Sequence, residues 1–365
     1  MSTRVLVVDD TVVFRRIISD ALAGAPGVEV VGTASNGRLA LARMAALQPD
    51  LVTLDIEMPE MNGIEVLEAM AAGGIKAGVI MLSALTVKGG EMTVRALELG
   101  AFDFLTKPEG GNSAANLDHL RARLLPMIRA FERRRDIRAI LRRDPSGAAP
   151  EPLLPAPVPA LPQPVRGLSR RGPPLVLIGV STGGPGALAK LIPALPGDLG
   201  VPLFIVQHMP PLFTQPLAAS LDKKSAIRVK EGRDGEVAQA NYAYVAPGGR
   251  QMKLRPGPRG EITLHITDDP PENGCKPAVD YLFRSAALNF PGRSVAAILT
   301  GMGNDGTNGL RMLKRGGCFS IAQDEASCVV FGMPKEAIQA GVVDTVAPLE
   351  RIAAAIVRSV REVPG

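Results

Sequence analysis

The chain has 365 residues, enough for two domains that each bury a core. It is 46% hydrophobic but only 4% aromatic, with no Trp, which suits aliphatic α/β domains and argues against a sugar-stacking or nucleobase-stacking protein. The net charge of +5 is local: nine arginines against two acids fall between Arg121 and Arg143, so the rest of the chain is net negative and neither domain carries a broad nucleic-acid face.

The N-terminus, "MSTRVLVVDD", enters a strand-like run at once and meets two acids, which excludes a signal peptide. No apolar run approaches the roughly 18 residues of a membrane span, so no membrane insertion is expected. Residues 1–125 then alternate strand-like runs ("RVLVVDD", "VEVVGTA", "LVTLDIEM", "AGVIMLSA", "FDFLTKP") with helical patterns such as "GRLALARMAAL". Five such units predict a doubly wound parallel sheet, and the order 2-1-3-4-5 makes the first and third strands neighbours. Asp9 and Asp10 close the first run, Asp55 the third, Ser83 the fourth and Lys107 the fifth. Ligands of open α/β sheets sit at the carboxyl ends of strands. Three carboxylates crowded there repel one another unless a hard divalent cation lies among them, and oxygen-only ligands suit Mg²⁺. Lys107 supplies a compact cation and Ser83 a hydroxyl for a phosphoryl group carried by Asp55.

Residues 126–174 form an Arg-rich helix followed by a linker, with ten prolines between Pro145 and Pro174. Such a stretch sustains neither helix nor ladder and acts as an extended spacer. The Arg-rich helix leaves one alternative open, a regulator that binds nucleic acid or an acidic partner, although no helix-turn-helix pattern accompanies it.

From 175 to 365 the alternation resumes with "LVLIGVS", "VPLFIVQHM", "RSVAAILTGMG" and "CFSIAQD", and shorter runs between Ile227 and Thr267, such as "YAYVAPGGRQMKL", predict a β-hairpin insertion. This second domain is also expected to be a mostly parallel α/β unit. Gly179–Gly183 reads G-x-S-x-G, a sharp turn that exposes Ser181 at a helix N-terminus. A phosphate-binding loop competes with that reading but lacks Gly-Lys-Ser/Thr. Serine needs a base. His119 lies in the Arg-rich segment and His265 on a hairpin run, whereas His208 closes "VPLFIVQH" at the edge that holds Ser181. Asp305 follows "SVAAILT" at a third strand end and can fix the imidazole tautomer. Its loop, "GMGNDG", also spells the G-x-G-x-x-G of a dinucleotide site, but that fingerprint opens a domain's first β–α unit and this one comes late. Glycines there allow tight turning and bring amide donors to an oxyanion. Cys275, Cys318 and Cys328 show no C-x-x-C spacing and read as free thiols in a reducing compartment, hence the cytoplasm.

"VVDD", "LDIEMPEMNG", "MLSA" and "TKP" closely resemble a response-regulator receiver domain. The resemblance implies that Asp55 is the phospho-acceptor, that Asp9, Asp10 and Asp55 hold Mg²⁺ with the Glu57 backbone, and that Ser83 and Phe104 form a switch pair beside Lys107. A receiver joined to "GVSTGGPGAL", "VQHMPPLFT" and "LTGMGNDG" resembles one family over the whole chain, the chemotaxis response-regulator protein-glutamate methylesterases of the CheB type. That implies Ser181 as nucleophile, His208 as base, Asp305 as its orienter, and the backbone amides of Thr182 and Met302 as the oxyanion hole, with no cofactor at the esterase site. It implies hydrolysis of γ-glutamyl methyl esters on chemoreceptors, glutamine deamidation, a histidine kinase as phosphodonor, no nucleic acid, and a receiver that docks over the serine site until phosphorylated. The linker is longer and richer in proline than the family pattern. An esterase of the same family serving another pathway has the same residues.

Overall fold

The computed structural model describes residues 2–108, 113–143, 174–292 and 294–362. Apart from Pro174, the Pro-rich spacer lies outside the described residues.

In the N-terminal domain, β1 (Thr3–Val8), β2 (Val28–Ala34), β3 (Leu51–Asp55), β4 (Gly78–Ser83) and β5 (Asp103–Thr106) alternate with α1 (Val12–Leu22), α2 (Gly37–Leu47), α3 (Gly63–Ala72), α4 (Val87–Glu98) and α5 (Ser113–Arg143). The sheet is parallel throughout, in the order β2-β1-β3-β4-β5. Its central strands read as unbroken apolar runs because both faces are covered. Leu6, Val8, Val52 and Leu54 pack under α2, α3 and α4, while Val5, Val7, Leu51 and Ile80 pack under α1 and α5. Asn62 starts α3 with a capping box, its side chain taking the Glu65 amide while the Glu65 carboxylate takes the Asn62 amide. Helix α5 continues through residue 125, the edge read from sequence. Leu120, Leu124, Met127 and Ile128 fill the core against α1, and Arg135 pairs with Asp50 at 2.8 Å. The arginine-rich helix is therefore anchored to the first domain by its apolar face.

The C-terminal domain runs β6 (Leu175–Val180), α6 (Gly184–Leu191), β7 (Leu203–Gln207), α7 (Thr214–Lys224), β8 (Arg228–Glu231), β9 (Tyr242–Val245), β10 (Gln251–Pro256), β11 (Ile262–Thr267), α8 (Val279–Asn289), β12 (Ser294–Ile298), α9 (Thr307–Arg315), β13 (Phe319–Gln323), α10 (Met333–Gln339), β14 (Thr345–Ala347) and α11 (Leu349–Glu362). Seven strands form one parallel sheet in the order β14-β13-β12-β6-β7-β9-β8, and β10 and β11 form a separate antiparallel hairpin. "YAYV" is thus a strand of the main sheet beside β7, and the hairpin is confined to residues 251–267. The reason is burial: Ala243, Tyr244 and Val245 are enclosed on both faces, as a parallel strand requires. Val176, Ile178 and Val180 face α6, α7 and α11, and Leu175 and Leu177 face α8, α9 and the hairpin. The chain leaves β6 for β7 on one side and later returns to β12 on the other. The carboxyl ends of these three strands therefore frame a topological switch point, where such sheets place ligands.

Candidate active site and acidic pocket

Ser181 follows β6 directly. Its amide donates to Thr300 O at 3.0 Å, its carbonyl accepts from Gln207 Nε2 at 3.0 Å, and the His208 amide reaches Val180 O at 3.2 Å. These bonds fix Ser181, His208 and the Thr300–Asp305 loop at neighbouring strand ends. The glycines explain themselves sterically. A Cβ on Gly301 would lie 2.8 Å from Ser181 Cβ, and Gly183, Gly303 and Gly306 hold φ of 77°, 85° and 94°, the left-handed region. The G-x-G-x-x-G spacing is thus accounted for by close approach to Ser181 and by tight turning.

Asp305 is almost fully buried and receives five donors. Oδ2 accepts from His208 Nε2 at 2.8 Å and from the Val279 amide at 2.7 Å; Oδ1 accepts from Asn273 Nδ2 and from the Asp280 and Gly306 amides, each at 3.0 Å. Two of these amides are at the start of α8, where the helix dipole favours an anion. Burial works against the charged carboxylate, but the His208 bond and the amides outweigh it and hold its pKa below the usual value. For His208 burial again opposes charge, yet Asp305 and then Cys275 override it and raise the imidazole to about 9. Because Nε2 is taken by Asp305, the nitrogen left for proton transfer is Nδ1, which lies 3.6 Å from Cys275 Sγ. Among the described residues no hydrogen bond links Ser181 Oγ to His208, and the Thr182 and Met302 amides find no acceptor there.

The sequence reading did not single out Thr300, Gln323, Asn273 or Asp280. Thr300 Oγ1 donates to Thr182 O at 2.9 Å and accepts the Val330 amide at 2.9 Å, while Gln323 Oε1 accepts the Thr300 amide at 2.8 Å. Asp280 links Asn273 and the Gly309 amide beside Asp305. Single polar residues such as these carry no motif, so only the fold reveals them.

The first domain covers this edge. The Thr182 hydroxyl lies beside Asp103 of β5 and favours its charged form, and Phe104 stacks on Phe213 with centroids 5.0 Å apart. Val330 is buried with Ile17, Leu120 and Leu124, and Met302 and Val329 pack against the same cluster. Glu98 of α4 bonds Ser220 and pairs with Lys224 at 2.7 Å.

In the acidic pocket, carboxylate oxygens of Asp9, Asp10 and Asp55 lie within 4.8 Å of one another. Lys107 Nζ reaches Asp9 at 2.8 Å and Asp55 at 2.7 Å. Burial, helped by Asp9 and Asp10 and opposed by Lys107, lifts Asp55 to about 6. One ammonium facing three acids leaves negative charge that a hard cation with oxygen ligands would neutralise, so the donor set fits Mg²⁺. The Glu57 side chain pairs with Lys88 at 3.8 Å. Ser83 accepts from Thr93 Oγ1 at 2.9 Å and is held at the start of α4, while Phe104 takes part in the contact between domains. His119 is exposed on α5, and His265 lies on β11, 3.9 Å from Asp234.

Residues 176–356 match the family model described as CheB methylesterase, and residues 5–116 match the response regulator receiver domain. A protein-glutamate methylesterase/protein-glutamine glutaminase of Desulfotalea psychrophila is 50% identical over 359 residues, 98% of each chain. One of Bacillus subtilis is 44% identical, covering 98% of this chain and 99% of its own. The solved methylesterase catalytic domain of Thermotoga maritima CheB is 41% identical with a TM-score of 0.50, covering 51% of this chain and 98% of that domain.

Proposed function

The chain belongs to the receiver-coupled CheB methylesterase family, and on that premise we propose that it is a phosphorylation-gated serine esterase acting in the cytoplasm on γ-glutamyl methyl esters of chemoreceptors. The observation that carries the reading is the His208–Asp305 bond at 2.8 Å, beside the strand end that bears Ser181.

Ser181 Oγ attacks the ester carbonyl as His208 Nδ1 takes its proton. Asp305, ionised and fixed by its amide donors, holds Nε2–H and stabilises the imidazolium. The Thr182 and Met302 amides receive the oxyanion, where preorganised donors are worth roughly 3–4 kcal/mol each. The imidazolium returns the proton to the departing methoxide, giving methanol and an acyl-Ser181. Water then attacks this acyl group as His208 takes its proton, the acyl–Oγ bond breaks, and the imidazolium returns the proton to Ser181 Oγ as the glutamate side chain is released. Glutamine side chains enter the same sequence with ammonia as the leaving group.

Asp55 is the phospho-acceptor, with a chemotaxis histidine kinase as donor. Asp9, Asp10, Asp55 and the Glu57 carbonyl would hold Mg²⁺, which supplies charge neutralisation at the phosphoryl oxygens. Lys107 binds the same group, and Ser83 and Phe104 relay its presence to the docked face. The apolar side of α5 is spent on the first domain's core and Arg135 on Asp50, so this reading assigns the helix a structural role in the receiver. The test is methanol release from methylated receptor membranes with a small phosphodonor. Wild type should release methanol faster when phosphorylated, and Ser181→Ala should release essentially none. Near-normal turnover by Ser181→Ala would refute the serine mechanism.

A further inference from the structure

We propose that Cys275 Sγ and His208 Nδ1 form a binding site for a divalent metal of the zinc class, and that a metal held there silences the esterase. The two atoms are 3.6 Å apart. Zinc bonded tetrahedrally to one thiolate at about 2.3 Å and one imidazole at about 2.0–2.1 Å places those atoms about 3.6 Å apart, so no rearrangement is needed. Behind the imidazole, Asp305 accepts from Nε2 at 2.8 Å, the carboxylate–histidine relay that orients a metal-binding ring and raises its basicity. Candidate ligand atoms of His208, Cys275 and Asp305 all lie within 4.8 Å.

The thiol is held in place by the sequence "ENGC". Asn273 and Gly274 adopt φ of 53° and 73°, the two-residue turn that Asn-Gly favours, and Glu272 and Cys275 close it with backbone bonds of 3.0 and 2.8 Å. Asn273 Nδ2 also donates to Asp305 at 3.0 Å, so the turn that positions the thiol is tied to the carboxylate that positions the imidazole. Cys275 is half-buried, whereas Cys318 and Cys328 are enclosed and burial pushes both thiols up, to about 12 for Cys318. Those two keep their protons and do not compete. The acidic pocket offers oxygen alone, so saturating Mg²⁺ occupies it while leaving a nitrogen–sulfur site to zinc.

Binding forms one metal–sulfur and one metal–nitrogen bond and releases to solvent the thiol proton and, below about pH 9, the Nδ1 proton of the imidazolium. The Nδ1 lone pair then belongs to the metal and cannot take a proton from Ser181. The silencing rests on the serine-esterase reading; the metal site does not.

The experiment uses full-length protein with saturating Mg²⁺ and a phosphodonor. Co²⁺ is titrated as a spectroscopic probe and Zn²⁺ as the inhibitor, each variant being compared with its own metal-free rate. Wild type and Ser181→Ala should both show the near-ultraviolet thiolate-to-cobalt band, and Cys275→Ala should lack it. Zinc at about ten times its Kd should slow wild-type hydrolysis roughly tenfold and leave Cys275→Ala at its own rate. A cobalt band or full zinc sensitivity in Cys275→Ala overturns the site. A wild-type band without loss of hydrolysis overturns the silencing. If Ser181→Ala hydrolyses normally yet keeps the band, the serine mechanism has failed and the metal site stands.

Discussion

His208 must be neutral to act, yet its bond to Asp305 raises it to about 9. Turnover by the phosphorylated enzyme should therefore climb with pH until about 9. In Asp305→Asn the maximum should fall, while the inflection moves down toward the ordinary imidazole value near 6.5. A pH–rate series on both proteins reads the two effects together. Because the folded pKa lies above the ordinary one, the imidazolium–carboxylate pair stabilises the fold fully below about pH 6.5 and loses that contribution as pH rises to about 9. Melting temperatures of wild type should converge on those of Asp305→Asn across that window. Asp103 illustrates the opposite ionic sign. Burial, against the Thr182 hydroxyl, the Phe104 amide and Arg123, pushes it up to about 6, so the docked form prefers the neutral acid. The contribution of this group to docking is complete below the ordinary carboxylate pKa near 4 and is lost as pH rises through about 6. Asp103→Asn keeps an acceptor for Thr182 without charge. At neutral pH it should dock more tightly and lower unphosphorylated receptor hydrolysis severalfold; higher basal hydrolysis would refute this account of the contact.

Helix α4 meets the second domain by backbone approach. A Cβ on Gly90 would lie 2.4 Å from Leu212 O, a main-chain atom that cannot swing aside. Gly90 is inside α4, where alanine favours helix by about 1 kcal/mol, so Gly90→Ala should preserve the receiver fold while prying the domains apart. The variant should hydrolyse receptors faster than wild type without any phosphodonor, and unchanged basal turnover would show that this seam does not hold the docked state. At this scale the sequence is legible where one element carries its own signal. The apolar runs of β1, β3, β6 and β12 announced a parallel sheet, and Asp9, Asp55, Ser181 and Asp305 stood at strand ends where chemistry collects. Signals made by pairing were not legible. Gly90 in "VKGGEM" reads as a weak helix position until Leu212 is seen against it. "YAYV" next to a Gly-Gly turn reads as part of a hairpin, and only its burial on both faces places it in the main sheet. β14, at three residues, is too short to show a period. Cys275 passed as a spare thiol because its neighbour His208 is 67 residues away in the chain.

For the molecule as a whole, one edge of the receiver serves two purposes. Phe104 and Asp103 on β5 touch Phe213 and Thr182, while Lys107, at the end of that same strand, binds Asp55 at 2.7 Å. Charge added at Asp55 therefore acts on the strand that caps the serine loop, and phosphorylation can open the site only to the extent that it favours the undocked form. A docked state populated at about 99% lowers apparent activity on a protein substrate roughly a hundredfold. Being part of the same chain keeps the receiver at high effective concentration beside the serine site. Cutting the chain near Pro150 removes that concentration, and the Thermotoga catalytic domain, solved by itself, indicates that such a fragment folds. The fragment should exceed unphosphorylated full-length protein on methylated receptors by up to that hundredfold, and should need no phosphodonor. On a small ester the two should differ much less, since a small molecule can reach Ser181 past a receiver that is only intermittently displaced. Both proteins are to be assayed on both substrates. A fragment no faster than the full chain on receptors would mean that the receiver builds the site rather than covers it, with Asp103 and Thr182 then aligning the serine loop for turnover.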